Sequence, residues 1–186
     1  DIHMSETMKL HLAKAMNECM KKASVENITI KEICFAAHCS RQTFYRCFKD
    51  KYDLINWYFD RILRISFDRM GQGRTIKDGL LKKFQYIQEE SLFFRAAFSI
   101  DSQNNLRQHD FEMIYAFYLD LITKKKQYPL HSKQRDILEI YCFASVYRTV
   151  KWVLNGAKES PEELVDILIQ IMPQDLSNIY KELNIF

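Results

Sequence analysis

Apolar residues along the chain recur at intervals of three and four, the spacing that lines one face of an α-helix. Met8, Leu12, Met16, Cys19 and Ala23 make one such stripe, and Tyr52, Ile55, Phe59, Ile62, Ser66 and Met70 make another. Ahead of these stripes stand residues that cap helices, a Ser, Thr or Asp followed three positions later by an acid: Thr29 with Glu32, Asp50 with Asp53, Thr75 with Asp78, and Ser160 with Glu163. Such a pair satisfies two orphan backbone donors at a helix start, and Pro161 directly after Ser160 suits the first helical position. The pattern predicts helices over 5–23, 30–37, 41–47, 51–70, 76–99 with a break near Ser91, 106–126, 133–156, and 162–183 with a break at Pro173. Residues 101–105 and 127–132 read as loops, Gly71 to Gly73 closes the fourth helix, and no stretch alternates as a strand.

Composition agrees with a helical chain. At 47% hydrophobic and 13% aromatic residues, the 186-residue chain is too apolar for disorder, and four Gly with three Pro are too few for the turns of an all-β sandwich. The five cysteines are odd in number and form no CxxC pair, so they read as reduced thiols of a cytoplasmic protein. No apolar run reaches the roughly 18 residues of a membrane span. Asp1-Ile2-His3 ahead of Met4 reads as a cloning remnant.

The net charge of +3 points to no partner until its position is considered. The helices after Thr29 are short and separated only by His38, Cys39 and Ser40, which is helix-turn-helix spacing. Ile28, Ile33, Cys34 and Ala37 supply an inner face, met by Phe44, Cys47 and Phe48. That leaves Arg41, Gln42, Thr43, Tyr45 and Arg46 pointing outward, and the segment from Ser40 to Tyr52 holds Arg41, Arg46, Lys49 and Lys51 against Asp50 alone. A short basic helix suits the major groove of double-stranded DNA. There Arg41 and Gln42 have the geometry to read guanine and adenine edges, while Thr29, Ser40, Tyr45, Lys49 and Lys51 suit phosphates. A solvated basic face is the alternative reading, and the length of the helix weighs against it. Cys34, His38, Cys39 and Cys47 fall close together, but Cys34 and Cys47 lie on the inner faces, so core thiols are favoured over a zinc site, with a redox switch second.

From Ile28 to Leu54 the sequence resembles the DNA-binding signature of the TetR/AcrR family of bacterial regulators. Thr29, Ser40, Tyr45, Phe48, Lys51 and Leu54 occupy that signature's places. The family has Gly where His38 stands, at a left-handed turn position, and many members have Gly where Gln42 stands. The resemblance implies an all-α fold, with a helix-turn-helix domain over 1–52 and a helical effector-binding and dimerisation domain over 53–186. Arg41 to Tyr45, Trp152-x-x-x-Gly156 and Ser160 to Leu164 also resemble the DhaS-like subgroup, which activates dihydroxyacetone kinase operons.

For the second domain the resemblance implies a small-molecule pocket, expected at Phe59, Phe94, Phe98, Tyr118 and Tyr147. Residues 133–156 are apolar on two faces, one with Ile137, Ile140, Tyr141, Ala144 and Tyr147, the other with Leu138, Cys142, Ser145 and Trp152. The second of these, with Leu164 and Leu168, is the expected homodimer interface, and a dimer implies a palindromic operator. The expected function is effector-controlled repression; the alternatives are activation through a protein coactivator, or an interaction module with a vestigial helix-turn-helix. No phosphate loop, GxSxG or HExxH occurs, and His11, His109 and His131 have no partner at catalytic spacing, so neither an enzyme nor a cofactor is expected.

Overall fold

The computed structural model describes the backbone of residues 2–100 and 105–186, with side chains from residue 5 onward. Among the described residues there are ten α-helices: α1 (Ile2–Met20), α2 (Ile30–Ala36), α3 (Arg41–Cys47), α4 (Lys51–Ser66), α5 (Ile76–Glu89), α6 (Ser91–Phe98), α7 (Leu106–Asp120), α8 (Ser132–Leu154), α9 (Pro161–Gln170) and α10 (Gln174–Glu182). Among the described residues there is no strand, only an isolated bridge between Met70 and Arg74. Most of the loop expected over 101–105 lies outside the described residues.

The helices start where the capping residues stand. Thr29 with Glu32, Thr75 with Asp78 and Ser160 with Glu163 form complete boxes. In the Asp50 version the return bond shifts by one residue, the Asp53 carboxylate accepting from Lys49 N at 2.8 Å. His131 caps α8 with Gln134 in the same way, a box that a search for Ser, Thr and Asp passes over. The fourth helix ends at Ser66, four residues short of its predicted end, because Arg69 turns left-handed (φ 61°) and the chain folds into a bend closed by Arg74 N donating to Arg69 O. Met70 still points inward from that bend and is buried. The last turn of the seventh helix is wound more loosely, as a π-turn over Leu121–Lys125.

One continuous core runs through the molecule, and α1 rests on α6 as well as on α4. The N-terminal end of α4 meets α1 in the part of that core formed by Leu12, Met16, Ile33, Phe44, Phe48 and Leu54, while the rest of the helix packs on α5 and α7. Beyond it α5 rests on α9, α7 on α8, and α6 and α10 also on α8. The boundary expected between residues 52 and 53 therefore falls in the first turn of a helix that both halves share.

Candidate nucleic-acid interface

The turn between α2 and α3 is built by backbone bonds. His38 adopts φ 51°, its N–H donates to Phe35 O at 3.2 Å, and Cys39 N–H donates to Cys34 O at 3.0 Å. These two bonds make a Schellman end to α2, which ordinarily takes Gly at the left-handed position. Ser40 then caps α3, its hydroxyl accepting from Thr43 N at 3.1 Å. Phe44 is fully buried and begins a chain of tilted rings with Phe48 and Trp57, and the Lys9 ammonium lies over the last two. Burying an aromatic ring this completely contributes about 2–3 kcal/mol, enough to hold a two-turn helix that would not persist alone.

With Phe44 as its anchor, α3 turns Arg41, Gln42, Tyr45 and Arg46 to solvent. The Arg41 guanidinium bonds the Tyr45 hydroxyl one turn on, which raises the arginine pKa further. Ser40 and Lys49 are also exposed, whereas Thr43 is half-buried and bonded to the Ser40 hydroxyl at 3.0 Å. Thr29 is exposed; its backbone N–H and its hydroxyl donate to the Glu32 carboxylate at 2.6 and 2.8 Å, and these bonds hold Glu32 below the usual carboxylate range.

Lys51 departs from its expected place. Its Nζ donates to the carbonyls of Val25 at 2.6 Å, Glu26 at 3.1 Å and Ile28 at 2.8 Å. An ammonium has three protons, and all three are taken. Lys51 in this arrangement ties α4 to the turn before α2 instead of reaching for a phosphate.

The residues expected to line an effector pocket do not converge on one chamber. Phe59, Phe94 and Phe98 are fully buried and pack ring to ring, so they fill the core between α4 and α6. Tyr118 borders a cavity of only about 20 Å³, and Tyr147 stands on the surface of α8, 67% exposed. The expected dimer face is also the inward one. Leu138, Cys142, Trp152, Leu164 and Leu168 are buried within the chain and Ser145 is half-buried, its hydroxyl donating to Tyr141 O at 2.8 Å. Trp152 stacks on Phe84 and donates its indole N–H to Glu159 O at 2.9 Å, a contact that no spacing within α8 reveals. The outward stripe is Ile140, Phe143 and Tyr147, at 69%, 61% and 67% exposed; it shares Ile140 and Tyr147 with the other expected face, whose Tyr141 is buried.

Comparison with known proteins bears on this architecture. The family TetR_C_8, described as transcriptional regulator C-terminal region, matches residues 74–174. The chain belongs to the TetR family of transcriptional regulators. It is 24% identical over 165 residues to the dhaKLM operon transcriptional activator DhaS of Lactococcus lactis subsp. lactis strain IL1403, covering 85% of this chain and 87% of that one. The solved structure of a dihydroxyacetone kinase operon activator DhaS superposes with a TM-score of 0.68 at 20% identity, covering 92% of this chain and 96% of the other. Thermus thermophilus FadR, a TetR-family repressor solved with lauroyl-CoA, superposes at 0.56 and 15% identity, covering 88% and 92%. These relatives regulate transcription; they are not enzymes.

In this TetR-family regulator one polar feature of the second half escaped the sequence reading. Lys83 Nζ and Asp110 Oδ1 lie 3.0 Å apart with side chains 3% and 0% exposed, and the Lys83 ammonium also faces the rings of Phe59 and Phe84. Asp110 Oδ2 has no protein partner, and burial raises the Asp110 pKa although Lys83 pulls it back. The signal was present in the periodicity: Lys83 stands on the buried face of α5 with Leu80, Phe84 and Ile87, and Asp110 on that of α7 with Leu106 and Ile114. Opposite charges at core positions of two helices announce a buried pair. His109 beside it joins Asp60 of α4 at 2.6 Å.

Proposed function

We propose that this TetR-family regulator binds a palindromic operator in double-stranded DNA as a homodimer, in the bacterial cytoplasm, with α3 in the major groove. The outward face of α3 carries this reading. A seven-residue helix that buries one ring and exposes two Arg, a Gln and a Tyr has more side-chain donors than its solubility requires. Arg41 and Gln42 read bases, while Ser40, Tyr45, Arg46 and Lys49, with Thr29 and Thr43 beside them, set register on phosphates. Lys51 holds the frame.

The exposed stripe of Ile140, Phe143 and Tyr147 on α8, with Ile171 following α9 at 49% exposure, is the surface we assign to the second copy. A two-fold pairing there repeats α3 at a spacing to match successive major grooves, about 34–36 Å.

Activation through a protein coactivator is favoured over effector-controlled repression by one observation: the relative matched in sequence over 85% of this chain is an activator.

The test uses duplex DNA from the region immediately upstream of the regulator's own gene, with fluorescence anisotropy at several salt concentrations. The logarithm of the binding constant should fall linearly with the logarithm of salt. Arg41→Ala should weaken binding roughly five- to 150-fold and relax base preference, since a bidentate base contact contributes about 1–3 kcal/mol. If Arg41→Ala and Arg46→Ala both leave DNA affinity unchanged, the α3 assignment is wrong and the chain is an interaction module.

A further inference from the structure

The Schellman end of α2 places two thiols against one another. In that motif the residue two beyond the cap packs on the residue three before it, and here those positions are Cys39 and Cys34. The backbone bond of 3.0 Å between Cys39 N and Cys34 O keeps the two residues together. A disulfide needs Cα atoms about 4.4–6.8 Å apart, a range that such a bonded pair satisfies without moving either helix far. Cys34 is buried, Cys39 half-buried, and both sulfurs are free. The Cys34 thiol also donates to Ser40 O at 3.7 Å, and Ser40 caps α3.

We propose that Cys34 and Cys39 form a reversible intrachain disulfide in response to hydroperoxides, and that its formation resets the start of α3. The Cys39 thiolate, the more accessible, attacks one peroxide oxygen; the O–O bond breaks, a sulfenic acid forms and one water leaves. The Cys34 sulfur then attacks the Cys39 sulfur, the S–O bond breaks, the S–S bond forms and a second water leaves. Two thiols and one hydrogen peroxide give one disulfide and two waters, the sulfurs losing the two electrons that the peroxide gains. A low-molecular-weight thiol reverses the change by exchange. The disulfide removes the S–H that bonds Ser40 and ties the turn across His38, so the cap of the recognition helix shifts. Burial and its neighbour raise the Cys39 thiol pKa, so the oxidation accelerates as pH rises. Cys47 also neighbours Cys39, but it lies within α3 and has no backbone bond to Cys39.

Trypsin cleavage after Lys31 and Arg41 leaves both cysteines in the single peptide Glu32–Arg41. The full chain is treated with stoichiometric hydrogen peroxide, its free thiols are alkylated, and it is digested. The expected peptide is two hydrogens lighter and unalkylated, and dithiothreitol restores alkylation. A peptide alkylated at both cysteines, or one joined to the Cys47 peptide, overturns the proposal. The switch itself is read by amide exchange over residues 40–43, which should change on oxidation in the native chain and stay constant in Cys39→Val, a variant that keeps the packing. Unchanged exchange in the oxidised native chain refutes the switch.

The effect on DNA rests on the operator reading above. Oxidation should lower affinity for the upstream duplex at least fivefold in the native chain and not in Cys39→Val. If the lighter peptide and the altered exchange occur but neither redox form binds DNA, the operator reading fails and the disulfide stands. If both forms bind with the same affinity, the proposed resetting of α3 is wrong.

Discussion

Lys51 of α4 donates to the Ile28 carbonyl at 2.8 Å, joining the helix that enters the core to the residue before the Thr29 cap. Lys51→Met removes the ammonium donor from that carbonyl and from those of Val25 and Glu26, of which Val25 O keeps its bond from Ile28 N. Hydrogen bonds to charged groups contribute about 1.5–3 kcal/mol, so a loss of that size is expected for the variant in urea denaturation. The salt dependence of DNA binding separates clamp from phosphate ligand. Lys49→Ala should lower the slope by about 0.9, the value for one phosphate contact, whereas Lys51→Met should leave it unchanged.

His38 holds the left-handed position of the reader's turn at φ 51°. A residue with a Cβ costs roughly 1–2 kcal/mol there, and glycine gives back about 0.5–1 kcal/mol through its freer unfolded chain. His38→Gly is expected to stabilise the protein by about 0.5–1 kcal/mol, seen as a higher urea midpoint with the same slope. A lower midpoint would mean that the imidazole makes a contact worth more than the strain.

The two faces of α8 should respond oppositely to substitution. Tyr147→Asp should halve the mass measured by light scattering at micromolar concentration and leave helicity intact. Trp152→Ala should instead cost about 3–5 kcal/mol of stability, since it empties a core position and removes the donor to Glu159. A Tyr147→Asp variant that stays dimeric would move the interface elsewhere.

Breaking the buried pair should cost more than replacing it. Lys83→Met alone leaves a carboxylate in the core and is expected to lose about 3–5 kcal/mol, while Lys83→Met with Asp110→Leu should recover most or all of that loss. The Asp110 pKa is raised in the folded chain, so the unfolded chain ionises first as pH climbs. Stability from this residue is therefore lost as pH rises from the unfolded value near about 3.9 through the folded pKa. Thermal melts of the native chain and the double variant across that window should differ in slope, the native chain falling more steeply.

How much of this was readable beforehand depended on whether a feature is local. Capping boxes such as Thr75 with Asp78 act over four residues, and they marked helix starts correctly. The tight α2–α3 spacing was legible for the same reason, whereas the left-handed turn at His38 was expected only from the family resemblance. The orientation of α8 was not, because both its faces are apolar and the choice is made by partners distant in sequence, Phe84 and Glu159. Lys51 was misplaced because a cation within a basic run looks free until the carbonyls that surround it are known. The aromatic residues of α4 and α6 were read as pocket walls, yet their rings fill the space between those helices themselves.

The sharing of α4 between the two halves has a mechanical consequence. Its 16 residues extend about 24 Å, with Lys51 fastened to the turn before α2 at one end and the buried Ser66 and Phe67 fixed in the core at the other. A tilt of about 5° imposed at the Phe67 end displaces the Lys51 end by about 2 Å over that length. Because Lys51 grips the backbone just ahead of Thr29, that displacement is delivered to α2 and α3 as a rigid body. The helix is a lever whose load is the position of α3.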